Sequence, residues 1–532
     1  MILIALLAVL LPLIFLALMN LPAAKGMAIS SAVVLVVAFI FWKMPLKVLS
    51  ASILQGIHKT IPILWILFGA LIMLEVLRHT GAIQRINQGF TSVTSDMRVL
   101  TIIIAFLFGA LIEGVSGFGT PAMVTAPLLM ALGFRPMAAV TLALVGDSTS
   151  ASFGAVGTPL TVGLSNIASG PDFIQKIGEM ITRIDLTAGA IVPTLIIFLL
   201  VKFFGNNEKQ NREWLEIVPW TLFIGIAYTV VAVGAVLFVG YEFASILTPL
   251  VMLVVAIASV KFKFLLPKSV TQNPWTEARD PKVKLDNDEA PKMSLLVAWT
   301  PYLLVVVLLL LSRTVEPLRV FMNKYVDLSW NHILGFKDIS SAWQFLYSPG
   351  TILVLSAIFG LLIQVRNIKP IVRQSKSVLK GIGPTAFTLA VTLIMVQVFS
   401  NSGLNAGYLV SMPTYIANTV ASFAAPVWVF IAPFLGELGA FITGSATVST
   451  LTFAPIQYNV AQQAGISTNI ILAVQVIGAA AGNMICVHNI VAASAVVGLG
   501  GNEGAILRKT AIPALIYAVL LGITGFVMLN FF

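Results

Sequence analysis

The sequence predicts an all-α polytopic membrane protein with about twelve transmembrane crossings, two re-entrant helical hairpins and two inverted repeats that contain discontinuous helices. Three observations carry this prediction. Hydrophobic residues fill 58% of the 532 positions and charged residues only 10%, whereas soluble chains run near a quarter charged. Apolar runs such as "LLVVVLLLLS" and "LTPLVMLVVAIASV" belong to stretches long enough to span a bilayer as helices. Two other apolar stretches break at glycine-rich polar tips, and the breaks hold matching places in a duplicated segment.

In chain order, runs 2–19 and 27–42 form an N-terminal pair of spans within 1–42. The first run lacks a basic leader and an A-x-A cleavage site, so it reads as a span rather than a cleaved signal peptide. The first repeat, 43–204, holds spans 60–77 and 186–204, a hairpin at 99–133 and a broken helix at 137–164. Connecting spans 217–239, 243–262, 295–312 and 347–365 occupy 205–365, with the polar stretch 263–293 as an inner loop. The second repeat, 366–532, holds span 382–400, a hairpin at 426–461, a broken helix at 470–499 and a last span at 510–530. Each hairpin half has about fourteen to seventeen residues, short for a crossing at 1.5 Å per residue, so the hairpins are expected to turn back.

A net charge of +10 would suit nucleic acid, but the basic residues fall mainly in loops between apolar runs. That distribution follows the positive-inside rule and excludes a nucleic-acid partner in favour of the lipid bilayer. "RNIKPIVRQSKSVLKG" (366–381) is expected inside and the uncharged "SNSGLNAGYLVSMPTYIANTVASFAA" (400–425) outside, which places both termini outside. In the outer loop, Trp330, Trp343 and Tyr347 read as an interfacial aromatic belt. The single cysteine, Cys486, excludes an internal disulfide and a multi-cysteine metal site. Nothing in the sequence specifies an oligomeric state.

The duplication shows as "LIMLEVLRHTG" (71–81) against "LIMVQVFSNSG" (393–403), Glu113 against Glu437, and "GTP" (119–121) against "TGS" (443–445). "ALVGDSTSASFGAV" (143–156) then meets "QVIGAAAGNMICVH" (475–488) in the same order. An odd number of crossings separates the copies, which inverts one relative to the other, as in many secondary transporters.

Each copy thus offers one tip and one break: "EGVSGFGTP" (113–121) with "GDSTSASFGAVGTP" (146–159), and "GELGAFITGSATVS" (436–449) with "GAAAGNMICVHN" (478–489). Unwound backbone at membrane depth is tolerated only where it is buried or lines a cavity. The amides freed at a new helix start favour an anion, while glycine permits close approach and hydroxyls add uncharged donors. The bland alternative is that these small residues let helices pack tightly. Four converging breaks would suit a small carboxylate, with Ser116, Gly119, Thr120, Ser148, Thr149, Thr443, Gly444, Ser445 and Asn483 as candidate contacts.

Ionisable residues are scarce here and costly in a bilayer, about 2.5–3.5 kcal/mol each at the midplane. Asp147, at a helix break, is the candidate for carrying a coupling proton; Glu113, Glu437 and His488 are the others. The symmetric glutamates could equally fix the hairpin tips, and His488 could equally be a neutral hydrogen-bonded histidine. Arg135 reads as an interfacial anchor, Arg78 as a residue reaching the inner surface, and Glu75 as repeat partner of Gln397.

Rival classes find less support. "GVSG" (114–117) matches a serine rhomboid pattern by four residues alone, and neither H-E-x-x-H nor a phosphate-binding G-x-x-x-x-G-K-[ST] occurs. A channel is the remaining non-carrier reading, and no enzyme activity or cofactor is expected.

"EGVSGFGTPAMVTAPLLMALGF" together with "ALVGDSTSASFGAVGTP" resembles the bacterial L-lactate permease family, and the length and span pattern of the whole chain fit it. The resemblance implies proton-coupled uptake of lactate, with glycolate and D-lactate as related 2-hydroxy monocarboxylate substrates, across a bacterial plasma membrane. It carries over to Glu113, Ser116, Gly117, Gly119, Thr120, Pro121, Gly146, Asp147 and Ser148. The alternative is a sodium-coupled carboxylate or dicarboxylate carrier.

Overall fold

A computed structural model describes every residue except 20, 118, 165–166, 168–170, 206–211, 281–292, 366–374, 376–377, 380–381, 425–426 and 532. Most of the basic stretch expected inside at 366–381 and most of the second half of the inner loop therefore lie outside the described residues. Among the described residues the protein is helical throughout, with nine helices long and apolar enough to cross a membrane and two bent helix pairs that bring the number to eleven. It is a multi-pass membrane protein.

The repeat-related long helices, Leu46–His79 and Gly383–Ser400, pack directly on each other. The first extends well before the expected start at residue 60. Gly56 lets it approach the backbone of Ile394, where any Cβ would collide. Lys59 Nζ donates to Gln397 Oε1 at 2.9 Å, and Asn401 Nδ2 donates to Gln55 Oε1 at 2.7 Å across the same seam. Glu75, by contrast, pairs with Arg78 at 3.2 Å in a partly exposed position. Ala23–Ile40, Leu295–Thr314 and Pro349–Val365 complete this layer.

The second layer is built from the hairpins and broken helices. The first hairpin enters through Met97–Thr101, a π-helical turn at Ile102–Phe108 and Gly109–Ser116, and returns through Thr120–Ala131. Its entering limb is longer than expected: Met97–Gly114 alone satisfies the length of a crossing. Arg98 and Asp96, paired at 2.7 Å and fully buried, anchor that limb, with Trp275 N donating to Asp96. The expected loop at 263–293 is therefore packed in its first half, including a short helix at Lys268–Gln272.

The second hairpin runs Trp428–Thr443 and Ala446–Ala464 around Gly444 and Ser445. A buried amide chain braces it. Trp428 Nε1 donates to Gln457 Oε1 at 2.7 Å, and Gln457 Nε2 donates to Gln475 Oε1 at 2.6 Å and to the Ala432 carbonyl at 3.1 Å.

Both expected helix breaks are present, and the second is narrower than the expected 478–489. Pro136–Gly146 and the helical turns at 150–161 meet at 51° around Asp147–Thr149. In the second copy the helix continues through Gly478 to Gly482 and breaks at Asn483–Cys486, before Val487–Val496. Gly478 and Gly436 are packing glycines: a Cβ at either would collide with the facing backbone, at Pro433 and Gln475 respectively. The small-residue packing alternative holds for that part of the segment.

Helix Pro171–Asp185 was not expected from hydropathy; it meets Gly189–Phe204 at 47°. Met412–Ala424 likewise forms a helix inside the stretch read as an outer loop. Trp330 and Trp343 pack edge-on to His58, at 6.0 and 6.3 Å between ring centres, so these two rings serve a protein contact as well as any interfacial belt.

Candidate functional site

The two tips and the two helix breaks meet at one narrow cleft. Glu113 and Gly117 line it from the first hairpin, Thr158 from the first broken helix, Ser445 and Thr447 from the second hairpin, and Asn483 from the second break. Thr158 Oγ1 and Thr447 Oγ1, 3.3 Å apart, join the two repeats across it. Neither threonine was singled out from the sequence.

The start of helix Val487–Val496 holds both tips. Gly119 adopts φ +73° and lies against the Asn489 side chain, while Gly444 adopts φ +70° beneath the His488 ring. A Cβ at either glycine would overlap the facing side chain. His488 is buried, hydrogen-bonded to the backbone of Gly444 and 3.3 Å from Cys486 Sγ through Nδ1. This explains its place as a tip-holding residue; it does not line the cleft.

The hydroxyl candidates divide. Ser116 Oγ donates to the Ile112 carbonyl at 2.7 Å, Ser148 Oγ to Val145 at 2.9 Å and Thr443 Oγ1 to Gly439 at 2.7 Å, so all three are committed to their own helices. Ser445 caps the returning limb of the second hairpin, accepting from Val448 N at 3.3 Å. Thr120 Oγ1 and Asn483 Oδ1 are buried without a hydrogen-bond partner. Thr149 faces a different cavity.

The acidic candidates divide as well. Glu113 reaches the cleft because Gly154 leaves room for its carboxyl, where a Cβ would collide with Oε1. Asp147 stands behind it, and the two buried carboxyls face each other within hydrogen-bonding reach, each keeping one unpartnered oxygen. Two carboxyls so placed without a cation cannot both ionise cheaply and can share a proton. Glu437 has no such neighbour: it is buried on the second hairpin, Oε1 unpartnered, away from the cleft lining.

Chemically, the cleft offers hydroxyls, an amide side chain and the first-turn amides of helix Ala446–Ala464, with no Lys, Arg or His among its described lining residues. Such a surface can hold an anionic group by hydrogen bonds without a fixed positive charge.

The family model described as L-lactate permease matches residues 1–532. An L-lactate permease of Escherichia coli is 28% identical over 92% of this chain and 89% of its own, and one of Bacillus subtilis is 27% identical over 99% and 96%. A glycolate permease of Escherichia coli is 28% identical over 97% of this chain and 94% of its own. A solved structure, the Alcanivorax borkumensis YdaH transporter, overlaps 86% of this chain and 84% of its own at 15% identity, with a TM-score of only 0.29. With the family model spanning every residue, the chain belongs to the L-lactate permease family.

Proposed function

We propose that this protein is a secondary active transporter that takes up L-lactate, and related 2-hydroxy monocarboxylates such as glycolate and D-lactate, together with a proton across the bacterial plasma membrane. The observation that carries this reading is the cleft itself, where both tips and both breaks bring anion-binding donors together beside the Glu113–Asp147 pair. The lactate carboxylate would take the amides at the start of Ala446–Ala464 and the Asn483 side chain, and its hydroxyl would take Thr158 or Thr447. A proton held between Glu113 and Asp147 neutralises the loaded site, which lowers the cost of carrying an anion through a low-dielectric region. Alternating access follows if the tips part on one side at a time, and both termini lie outside in this orientation. In this reading the protein catalyses no chemical step and needs no cofactor.

Radiolabelled L-lactate uptake in proteoliposomes tests this, with glycolate, D-lactate and succinate as competitors and proton and sodium gradients imposed separately. Accumulation driven by the proton gradient and competed by the monocarboxylates supports the proposal. Drive by sodium at fixed pH, or a large unsaturable conductance, would overturn it.

A further inference from the structure

Behind the first broken helix lies a second, small cavity, lined among others by Thr149, Ser150, Thr182, Asp185, Tyr228 and Thr248. Asp185 ends helix Pro171–Asp185 at the 47° bend and is 6% exposed. Tyr517, fully buried on Glu503–Phe531, donates its hydroxyl to Asp185 Oδ1 at 2.6 Å. Gly189 leaves the space beside that oxygen, since a Cβ there would press on the carboxyl. No Lys, Arg or His is among the described residues lining the cavity.

A buried carboxylate with no cationic neighbour carries a desolvation cost that a single tyrosine hydroxyl does not offset. A structural role would be met as well by an amide or a second hydroxyl. The cavity instead presents Thr248 Oγ1, which is buried and has no hydrogen-bond partner, beside Thr149, which lies against the Tyr228 hydroxyl. Buried hydroxyls are normally hydrogen-bonded, so Thr248 is free to bond with a group that enters the cavity.

The position relative to the cleft gives the cavity a use. The turn after Asp147 is a thin wall: Thr149 and Ser150 face the second cavity, while Ala151 and Gly154 face the cleft. Tyr228 stands beside Thr149, within electrostatic reach of both Asp147 and Asp185. The titratable groups around Asp185 are thus Tyr517 and Tyr228 from the packed helices, with Asp147 and Glu113 beyond the wall. On its own helix, Glu179 and Arg183 pair with each other at 3.8 Å in a partly exposed position.

We infer that Asp185 is a second proton-binding site, and that the hydroxyl-lined cavity around it passes a proton through Tyr228 and Thr149 to the Asp147–Glu113 pair. The proton leaves Asp185 as its carboxylate regains the Tyr517 hydrogen bond and arrives on the carboxyl pair, so charge and protons balance with no other reactant. The inference rests on the proton-coupled reading above.

The test uses the full-length protein in proteoliposomes. For one proton per lactate, a gradient of about one pH unit sustains about tenfold accumulation. Asp185→Asn is expected to reduce that ratio to about unity while lactate counterflow, which needs no net proton movement, persists. Asp185→Glu is expected to restore accumulation with a shifted pH profile, which a merely structural role would not produce. Should Asp185→Asn fail to fold, Thr149→Val combined with Thr248→Val tests the same route and is expected to slow gradient-driven uptake but not counterflow. Wild-type accumulation by Asp185→Asn, or equal loss of counterflow and accumulation in every variant that folds, would overturn the inference. If the unmodified protein responds to sodium and not to pH, the coupling reading itself fails. If it responds to pH and only Asp147→Asn loses that response, Asp185 alone is refuted.

Discussion

Gly444→Ala isolates the contact on which the second tip rests. Gly444 has φ +70° and ψ 23°, and Gly465, at the end of the same hairpin, has φ +67° and ψ 25°. Alanine in this left-handed conformation costs about 1–2 kcal/mol at either position. At Gly465 nothing lies within 4 Å of the added carbon, whereas at Gly444 it overlaps the His488 ring. Displacing that ring forces an off-rotamer side chain, about 0.5–1.5 kcal/mol, and breaks its hydrogen bond, about as much again. The excess at Gly444 is therefore about 1–3 kcal/mol, or about 5- to 150-fold if it falls on lactate binding. Counterflow in proteoliposomes measures the half-saturating lactate concentration, and heat denaturation in detergent measures stability. Gly465→Ala should lose stability alone, while Gly444→Ala should also raise the half-saturating concentration, and adding His488→Ala should recover part of that rise. Equal half-saturation in the two single variants would refute the placement of this tip at the substrate.

Three further outcomes are expected. Asp147→Asn should abolish proton-driven accumulation and leave exchange, and wild-type accumulation would sink its coupling role. Gln457→Leu strands the Trp428 N–H and Gln475 Oε1, at about 1–3 kcal/mol for each orphaned group, and should lower the midpoint of heat denaturation markedly; an unchanged midpoint would contradict the bracing role. Arg98→Met leaves Asp96 buried without its partner and should destabilise the protein by about 3–5 kcal/mol, whereas Asp96→Asn with Arg98→Met should recover much of the loss in the same assay.

The hairpins were legible because a bilayer span has no reason to spend glycine and hydroxyls on its middle. "EGVSGFGTP" and "ITGSATVS" therefore stand out from their apolar flanks. What the pattern hides is which way a side chain turns. Ser116, Ser148 and Thr443 read as donors, but a hydroxyl three or four residues after a helical carbonyl satisfies itself there. Glu437 matches Glu113 in position, yet only Glu113 has a second carboxyl beside it, because neighbours come from elements the repeat does not align. Asp185 escaped notice because its helix is amphipathic, with "PDFIQKIGEMITRID" reading as a connection between spans. Asn489 had a detectable signal in its place next to His488 at the second break, but only the fold brings it to the opposite tip.

The shared seat of the two tips bears on how substrate range could change. Consecutive residues, His488 and Asn489, support Gly444 and Gly119, so one short stretch of backbone gauges both walls of the cleft. A substitution that shifts this stretch to admit a bulkier acid at one wall also loosens the other. Adapting the carrier to larger substrates would then require paired changes on both hairpins, and single changes would trade selectivity for leak.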